Sequence, residues 1–381
     1  MLKVGIIFVT FFYLLPILIV ANNASVASIL VVLIIIAYFY FGIIVGALSA
    51  RKVGFHDGVF DSSRIFWPAL PLNWVFAVSA LYFLTRAPNI AVAFNSLLAG
   101  EIQQYMLARA VGRYNSELTD IGFFYQIGTV LFILMAGMVG SRVNIKAGRF
   151  VTFSLLVVAI LVESLQLARA SVLVALLMFF SEYLLQNNYY LTRPGFLKLI
   201  LPIIGSILGL FVIFFFSQYF RVAQSDYALE IVANKFSTYT VAMYSALMIW
   251  LDESDPFSFE LGFNTFTFIA KLSGAEIQAG FVSAVSTPYG VTNIYTNIRG
   301  LISDFSVIGA SFVFFVSGFY FAFYSFRKLT FLGYIFLKIS ICIVFFPLYS
   351  PFYFTVFSAA FVLICMLSWA NRVVLRESKR Q

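Results

Sequence analysis

Three arginines in apolar surroundings are the residues whose type and spacing point most clearly to chemistry. Arg169 lies in the run LVESLQLARASVLVALL, Arg221 in FFFSQYFRVAQSDY and Arg299 in TNIYTNIRGLISDF. The guanidinium group is a planar fork that binds phosphate or carboxylate through two parallel hydrogen bonds, whereas lysine offers a single point charge. The three arginines therefore predict an anion site for a lipid-linked phosphate. Snorkelling or anchoring to lipid phosphates is the structural alternative.

The chain that must position these arginines is too apolar for a soluble protein. It has 381 residues, of which 62% are hydrophobic and 10% are charged, and its mean hydropathy is +0.98. Between Lys3 and Arg51 lie 47 consecutive residues without a formal charge, enough for two membrane helices and a turn. The composition excludes a secreted enzyme, a DNA-binding module and a coiled coil, and it predicts an all-α integral membrane protein.

The apolar runs predict about ten transmembrane helices. On one side of the resulting topology lie fifteen of the lysines and arginines, and eight lie on the other. Because the side richer in these residues is normally cytoplasmic, both termini are predicted in the cytoplasm. The predicted spans are 4–21, 25–49, 66–85, 121–141, 150–167, 171–187, 199–217, 302–325, 331–348 and 352–370.

Residues 1–381 are predicted to form a single polytopic membrane domain with two long outer loops. The first loop covers residues 86–120 and the second, larger loop covers residues 218–301. The larger loop is predicted to contain an amphipathic helix, which either lies along the membrane surface or packs on the other helices as a cap. Apolar residues recur there every three to four positions, at Val232, Phe236, Tyr239, Met243 and Leu247.

Residues that the chain lacks narrow the chemistry further. Its only histidine, His56, falls in a predicted cytoplasmic loop, and the sequence has no Walker loop and no CxxC motif. We therefore expect neither a metal, a cofactor nor nucleotide hydrolysis on the outer face. Glu163 and Glu182 fall near the ends of predicted spans, and Lys338 falls within one. A charge at such a position needs a partner, and we expect Glu163 to pair with a neighbouring helix.

The segment TPYGVTNIYTNIRGLISDFSVIGASFVFFVSGFYFAFY is an aromatic- and Asn-rich stretch that runs into Asp304, Phe305 and Gly309 at the start of a span. It resembles the oligosaccharide repeat-unit polymerases, or Wzy-type O-antigen polymerases, of bacterial inner membranes. The turn LARASVLVALL and the sequence QYFR are similar to two arginine-bearing outer segments of that family. The family's Arg-x10-Gly pattern is imperfect here, because Gly309 follows Arg299 one residue early.

The resemblance implies a GT-C-like helical fold with one large periplasmic loop. It also implies a metal-independent glycosyltransferase that joins oligosaccharide repeat units carried on undecaprenyl pyrophosphate, at the periplasmic face of the inner membrane. The candidate residues fall into three groups: pyrophosphate binding by Arg169, Arg221 and Arg299; general-base catalysis by Asp226, Glu230 and Asp304; and stacking on sugar rings by Tyr219, Tyr289 and Tyr295.

Three other functions stay open at this point. An O-antigen ligase uses the same donor, but it typically presents a histidine in the large outer loop, which this chain lacks. A lipid-linked oligosaccharide flippase or other transporter usually has internal repeats and short loops. A non-catalytic scaffold in a polysaccharide export complex is the third. The partners that the polymerase resemblance implies are the lipid-linked oligosaccharide, membrane lipid, a chain-length regulator and a flippase, with no nucleic acid.

Overall fold

The computed structural model describes residues 2–52, 70–85, 90–101, 104–105, 123–141, 156–160, 162–163, 169–186, 215, 219, 227–259, 264–267, 270, 273–274, 284–292, 296–326, 330–347 and 350–377. These residues are mostly helical. In chain order the α-helices are α1 (Leu2–Val9), α2 (Leu15–Val20), α3 (Val26–Lys52), α4 (Leu70–Leu84), α5 (Ile90–Leu98), α6 (Phe123–Ser141), α7 (Arg169–Gln186), α8 (Ala228–Ser237), α9 (Met243–Glu253), α10 (Asn297–Phe323), α11 (Phe331–Val344) and α12 (Thr355–Glu377).

Several of these helices are suited to a membrane. Among the described residues, four helical stretches are long and apolar enough to cross one, and they are Gly5–Asn23, Val26–Arg51, Phe123–Ser141 and Asn297–Phe323. Shorter apolar helices cover Ala170–Leu185, Phe331–Val344 and Thr355–Ala370. The predicted spans 150–167 and 199–217 lie largely outside the described residues. The chain is therefore a helical membrane protein, as its composition predicts.

The described chain divides into two compact units. The first comprises Met1–Phe60, Asn187–Phe196 and Ala233–Ser358, and the second comprises Asp61–Gln186, Leu197–Val232 and Ala359–Gln381. The first unit thus joins the N-terminal segment to a long segment from the second half of the sequence.

In the first unit α3 packs along α10 at very short range. Gly42 and Gly46, which form a small-xxx-small pair, face the α10 backbone so closely that a Cβ at Gly42 would overlap the carbonyl of Phe315. From the other side Gly318 faces the carbonyl of Phe39 in the same way. Small residues at such positions let helix backbones approach closely, which is how membrane helices gain van der Waals contact.

The second unit uses the same device. In this unit α6 packs against both α4 and α7. Gly128 faces the backbone at Leu84, and Gly140 faces the carbonyl of Phe179. Glycines on two faces of α6 therefore allow it to contact both neighbours at backbone distance.

The stretch predicted as an amphipathic helix is helical from Ala228 to Glu253. Between α8 and α9 it contains a π-helical turn, Thr238–Ala242. Val232, Met243 and Leu247 are buried whereas Phe236 is 41% exposed, so the predicted apolar positions do not form one continuous buried face. A π-helical turn contains more residues than an α-helical turn, so it rotates the faces of α9 relative to those of α8.

A two-stranded antiparallel hairpin, which the all-α prediction misses, follows in the predicted larger loop. Its strands are β1 (Val285–Thr287) and β2 (Gly290–Thr292), and Thr287 pairs with Gly290. Gly290 has a φ of 119°, a conformation that favours glycine. The sequence Pro288–Tyr289–Gly290 at the bend supplies residues typical of turns. Local turn chemistry therefore produces a hairpin inside a predominantly helical chain.

Candidate functional site

A break in α10 is the most unusual backbone feature of the described residues. Ser306 has φ 59° and ψ 176°, and among those residues no other non-glycine has a positive φ. This region of φ/ψ space costs about 1–3 kcal/mol for a residue with a side chain and persists only where its surroundings hold it. The N–H of Val307 donates to the carbonyl of Pro256 at 2.9 Å, so a distant loop residue holds the break.

Asp304, a predicted general base, lies immediately before this break and is 0% exposed. One carboxylate oxygen accepts hydrogen bonds from the backbone N–H of Asn264 at 2.9 Å and from its Nδ2 at 3.0 Å. The other carboxylate oxygen accepts from the backbone N–H of Thr265. We name Pro256, Asn264 and Thr265 the loop clamp, because all three form hydrogen bonds with α10 between residues 304 and 307.

The geometry around Asp304 bears on its predicted catalytic role. A general base must lie within hydrogen-bond reach of the proton that it removes. In this conformation both oxygens of Asp304 already accept hydrogen bonds from the protein, and the side chain is buried. The geometry assigns Asp304 a structural contact with the loop clamp, and its catalytic role stays a prediction.

Arg299 lies about two turns before the break, on the first half of α10. Its guanidinium carbon is 5.0 Å from the centre of the Trp250 ring, and the side chain is partly exposed. Trp250 belongs to α9 and was not among the predicted site residues. A guanidinium over an indole face is attracted by the ring quadrupole. Trp250 thus gives Arg299 a fixed surface to lie on.

The start of α10 is fixed independently of the break. The side chain of Asn297 accepts a hydrogen bond from the Tyr13 hydroxyl at 3.2 Å and donates one to the carbonyl of Ile343 at 2.6 Å. Its backbone N–H donates to the carbonyl of Pro347 at 2.9 Å. The half-helix that carries Arg299 is therefore held at both ends.

Tyr13 itself lies in a π-helical turn, Thr10–Leu14, between α1 and α2. The neighbouring carbonyl of Phe12 accepts a hydrogen bond from the hydroxyl of Tyr244. Burial is the main cause that raises the pKa of Tyr244 well above its usual value, and the nearby Tyr13 adds to this increase. The Tyr244 hydroxyl therefore stays protonated and donates the hydrogen bond. Aromatic hydroxyls from two segments thus link the first helices to α9 and α10.

In the second unit Glu163 forms another buried polar cluster. Its carboxylate accepts hydrogen bonds from the hydroxyl groups of Tyr125 at 2.6 Å, Thr129 at 3.0 Å and Ser171 at 2.7 Å. Tyr125 and Thr129 lie on α6, so the predicted pairing of Glu163 with another helix is confirmed. Arg169 is the first residue of α7, two positions before Ser171, and its side chain lies outside what the structure describes.

The remaining predicted residues have separate positions. The Tyr289 hydroxyl donates to the carbonyl of Ile19 at 3.0 Å, which attaches the hairpin to the end of α2. Tyr219 stacks on Phe215, and Glu230 is an exposed residue near the start of α8. The structure brings Arg299, Asp304 and Tyr289 into the first unit, whereas Glu230 and Arg169 belong to the second. Three predicted residues lie outside the described part of the chain: Arg221, Asp226 and Tyr295.

The acidic stretch at the end of α9 has a structural contact. Asp252 accepts hydrogen bonds from the hydroxyl groups of Ser25 and Ser28, at the first turn of α3. A carboxylate at the start of a helix is favoured by the helix dipole. Within the described ranges no group of three or more His, Cys, Asp or Glu residues is placed to hold a metal ion. The metal-independent mechanism stays a prediction.

Trp250, Pro256 and Asn264 are the contacts that the sequence did not indicate. Each of them lies in the predicted larger loop and meets α10 only after the chain has folded back. Trp250 follows Leu247 at the same three- to four-residue spacing, which was the available signal that it lies on the same helix. No protein-family model, no curated protein and no solved structure matches the chain.

Proposed function

We propose that the protein is a polysaccharide polymerase of the O-antigen type, which joins repeat units carried on undecaprenyl pyrophosphate. The observation that carries the proposal is Arg299, partly exposed above Trp250 on the first half of a broken, membrane-length helix. Broken helices in membranes are tolerated where they border a cavity or a site, and they are typical of substrate sites. An arginine at that position is suited to the pyrophosphate of a lipid-linked donor.

The proposed reaction needs positive charge at the leaving group. The hydroxyl oxygen of the acceptor sugar forms a bond to the anomeric carbon of the donor as the bond from that carbon to the pyrophosphate oxygen breaks. The leaving undecaprenyl pyrophosphate takes the electron pair, and the hydroxyl proton passes to a general base. Pre-organised guanidinium groups stabilise the charge that develops on the leaving oxygen, as a metal ion does in other transferases.

The proposal includes a topology for the whole chain. We propose ten spans, an inner-membrane location and cytoplasmic termini, because the basic residues are distributed fifteen to eight between the two sides. Reporter fusions after residue 145 should then give a cytoplasmic signal, and fusions after residue 255 a periplasmic one. A periplasmic signal at residue 145 would invalidate the topology and place Arg169 on the wrong face.

The surface polysaccharide of cells that lack the protein tests the function itself. Loss of a polymerase leaves lipopolysaccharide capped with one repeat unit, whereas loss of a ligase leaves core alone. Loss of a flippase leaves no product outside the membrane. Purified protein supplied with lipid-linked repeat units and EDTA, without nucleotide, should extend them.

Lysine substitutions test the arginines. Arg299→Lys keeps the positive charge but loses the bidentate fork. We expect normal membrane levels and polymerisation reduced about 10-fold or more, as for the loss of about 1.4 kcal/mol of transition-state stabilisation. The same change at Arg169 and Arg221 should act in the same direction. Wild-type chain lengths in all three variants would leave these arginines with an anchoring role only.

A further inference from the structure

We propose that Asp304 is a positioning residue: it fixes the loop clamp across the break in α10 and so holds the Arg299 half of the helix in the orientation that binds the donor pyrophosphate. The donor assignment rests on the proposed function. Docking of the loop clamp does not, since it can be measured without any polymerisation.

The contacts at the break carry the first step. Four hydrogen bonds join residues 304 to 307 to the loop clamp: the Asp304 carboxylate accepts three, and the Val307 N–H donates one to the Pro256 carbonyl. Backbone N–H groups of a non-helical loop have no ladder partners of their own, so a buried carboxylate is a strong acceptor for them. Asp304 therefore supplies what the loop needs in order to lie against α10.

The second step connects Asp304 to Arg299. The two residues are five positions apart on one helical half, or about 7.5 Å along its axis. The break at Ser306 frees this half from the direction of the helix beyond it, so its orientation depends on its own contacts. Its polar contacts include Asn297 at one end and Asp304 at the other, and several apolar residues between them are buried. A shift at Asp304 is transmitted along the half-helix to the guanidinium above Trp250.

Exchanging the carboxylate and the carboxamide between residues 304 and 264 distinguishes a positioning role of Asp304 from general-base catalysis. Asp304→Asn places an amide where two loop N–H groups need an acceptor, and we expect polymerisation to fall up to about 100-fold, as for a misplacement of about 1 Å. Adding Asn264→Asp restores a carboxylate–carboxamide pair with the charge on the other partner. We expect the double variant to recover at least about 10-fold of that loss, mainly in the donor KM.

A general base at position 304 gives a different result. The double variant would then be as inactive as Asp304→Asn, because its carboxylate lies on the wrong residue. That result overturns the proposal, as does wild-type activity in Asp304→Asn alone. Asn264→Asp alone is the matched control: it places two carboxylates side by side, and we expect it to be less active than the double variant.

Docking of the loop clamp can be measured by cysteine labelling in intact membranes. Thr265 is buried, so Thr265→Cys should resist a membrane-impermeant maleimide. Adding Asp304→Ala should increase its labelling rate about 10-fold or more, the change that follows from about 1.4 kcal/mol lost in clamp docking. Phe257→Cys is the control, because Phe257 is 66% exposed and should react equally in both backgrounds.

The labelling result distinguishes the two proposals. Unchanged protection of Thr265→Cys in the Asp304→Ala background overturns the clamp, whatever the protein polymerises. Faster labelling in the Asp304→Ala background, together with a parent chain that fails to extend lipid-linked repeat units, supports the clamp and rejects the donor assignment. The parent chain without an introduced cysteine measures the background from Cys342 and Cys365.

Discussion

Two buried carboxylates, one in each compact unit, bind different kinds of donor. Asp304 accepts hydrogen bonds from backbone and amide N–H groups of a loop, whereas Glu163 accepts them from three side-chain hydroxyl groups. Both side chains are 0% exposed. The hydroxyl donors of Glu163 are side chains of α6 and α7, but the donors of Asp304 belong to a turn outside the helices.

Because their donors differ, we expect Glu163 to affect mainly the stability of the protein and Asp304 mainly its activity. Glu163 accepts hydrogen bonds from side chains of α6 and α7. Its removal takes these hydrogen bonds away and therefore lowers the free energy of unfolding. Asp304 orders a loop beside the candidate site, so its removal chiefly changes the position of Arg299. Equal burial of two carboxylates therefore does not imply equal roles, and the identity of the donors decides between them.

The largest expected effect on stability comes from Glu163→Ala. It removes the hydrogen bonds that the Tyr125 and Ser171 hydroxyls donate to this carboxylate, each of which contributes about 0.5–3 kcal/mol. Thr129 loses less, because its hydroxyl also donates to the carbonyl of Tyr125 at 3.1 Å. We expect a lower midpoint of thermal unfolding in detergent than for Asp304→Ala, in which only the Thr265 N–H is a buried donor and the N–H groups of exposed Asn264 can bind water.

Glu163→Gln is the control for this comparison, because it keeps the shape and one acceptor oxygen and should lose less stability. If Asp304→Ala lowered the unfolding midpoint as much as Glu163→Ala, the distinction between a structural and a positioning carboxylate would be wrong.

A smaller effect, on activity alone, is expected at Trp250. Trp250→Ala removes the cation–π contact with Arg299, which contributes about 0.5–1 kcal/mol at an exposed site. We expect the donor KM to rise about 2- to 5-fold with little change in kcat. Trp250→Phe keeps an aromatic face and should recover part of the loss. Equal defects in the Ala and Phe variants would point to packing of the indole as its role.

The smallest effect on activity is expected at Ser171, which touches the Glu163 cluster two residues after Arg169. Ser171→Ala should lower the free energy of unfolding by about 1 kcal/mol, the contribution of one hydrogen bond to a charged or neutral partner. The donor KM should stay at its wild-type value. A raised KM at normal stability would mean that the Glu163 cluster also positions an arginine, and the contrast between the two carboxylates would disappear.

The sequence predicted features that depend on local composition. Apolar runs predict helices for the membrane, and the cost of burying a charge predicts that Glu163 has a partner on another helix. The break at Ser306 was not predictable in this way, because DFSVIG contains no proline and its glycine lies after the break. Ser306 adopts its conformation through Pro256, and Arg299 gains its surface from Trp250. Because such contacts form between segments that are remote in sequence, no local sequence pattern predicts them.

The close packing of α3 on α10 determines when the protein can finish assembling. Gly42 and Gly46 enter the membrane early in synthesis, but Gly318 and the rest of α10 follow only when most of the chain has been made. Domains generally fold as units, N-terminal parts first. Here the first unit has to wait for its C-terminal half with the glycine face of α3 still uncovered. A nascent chain that stops before Asn297 therefore cannot complete this unit, and assembly is a late, post-insertion event.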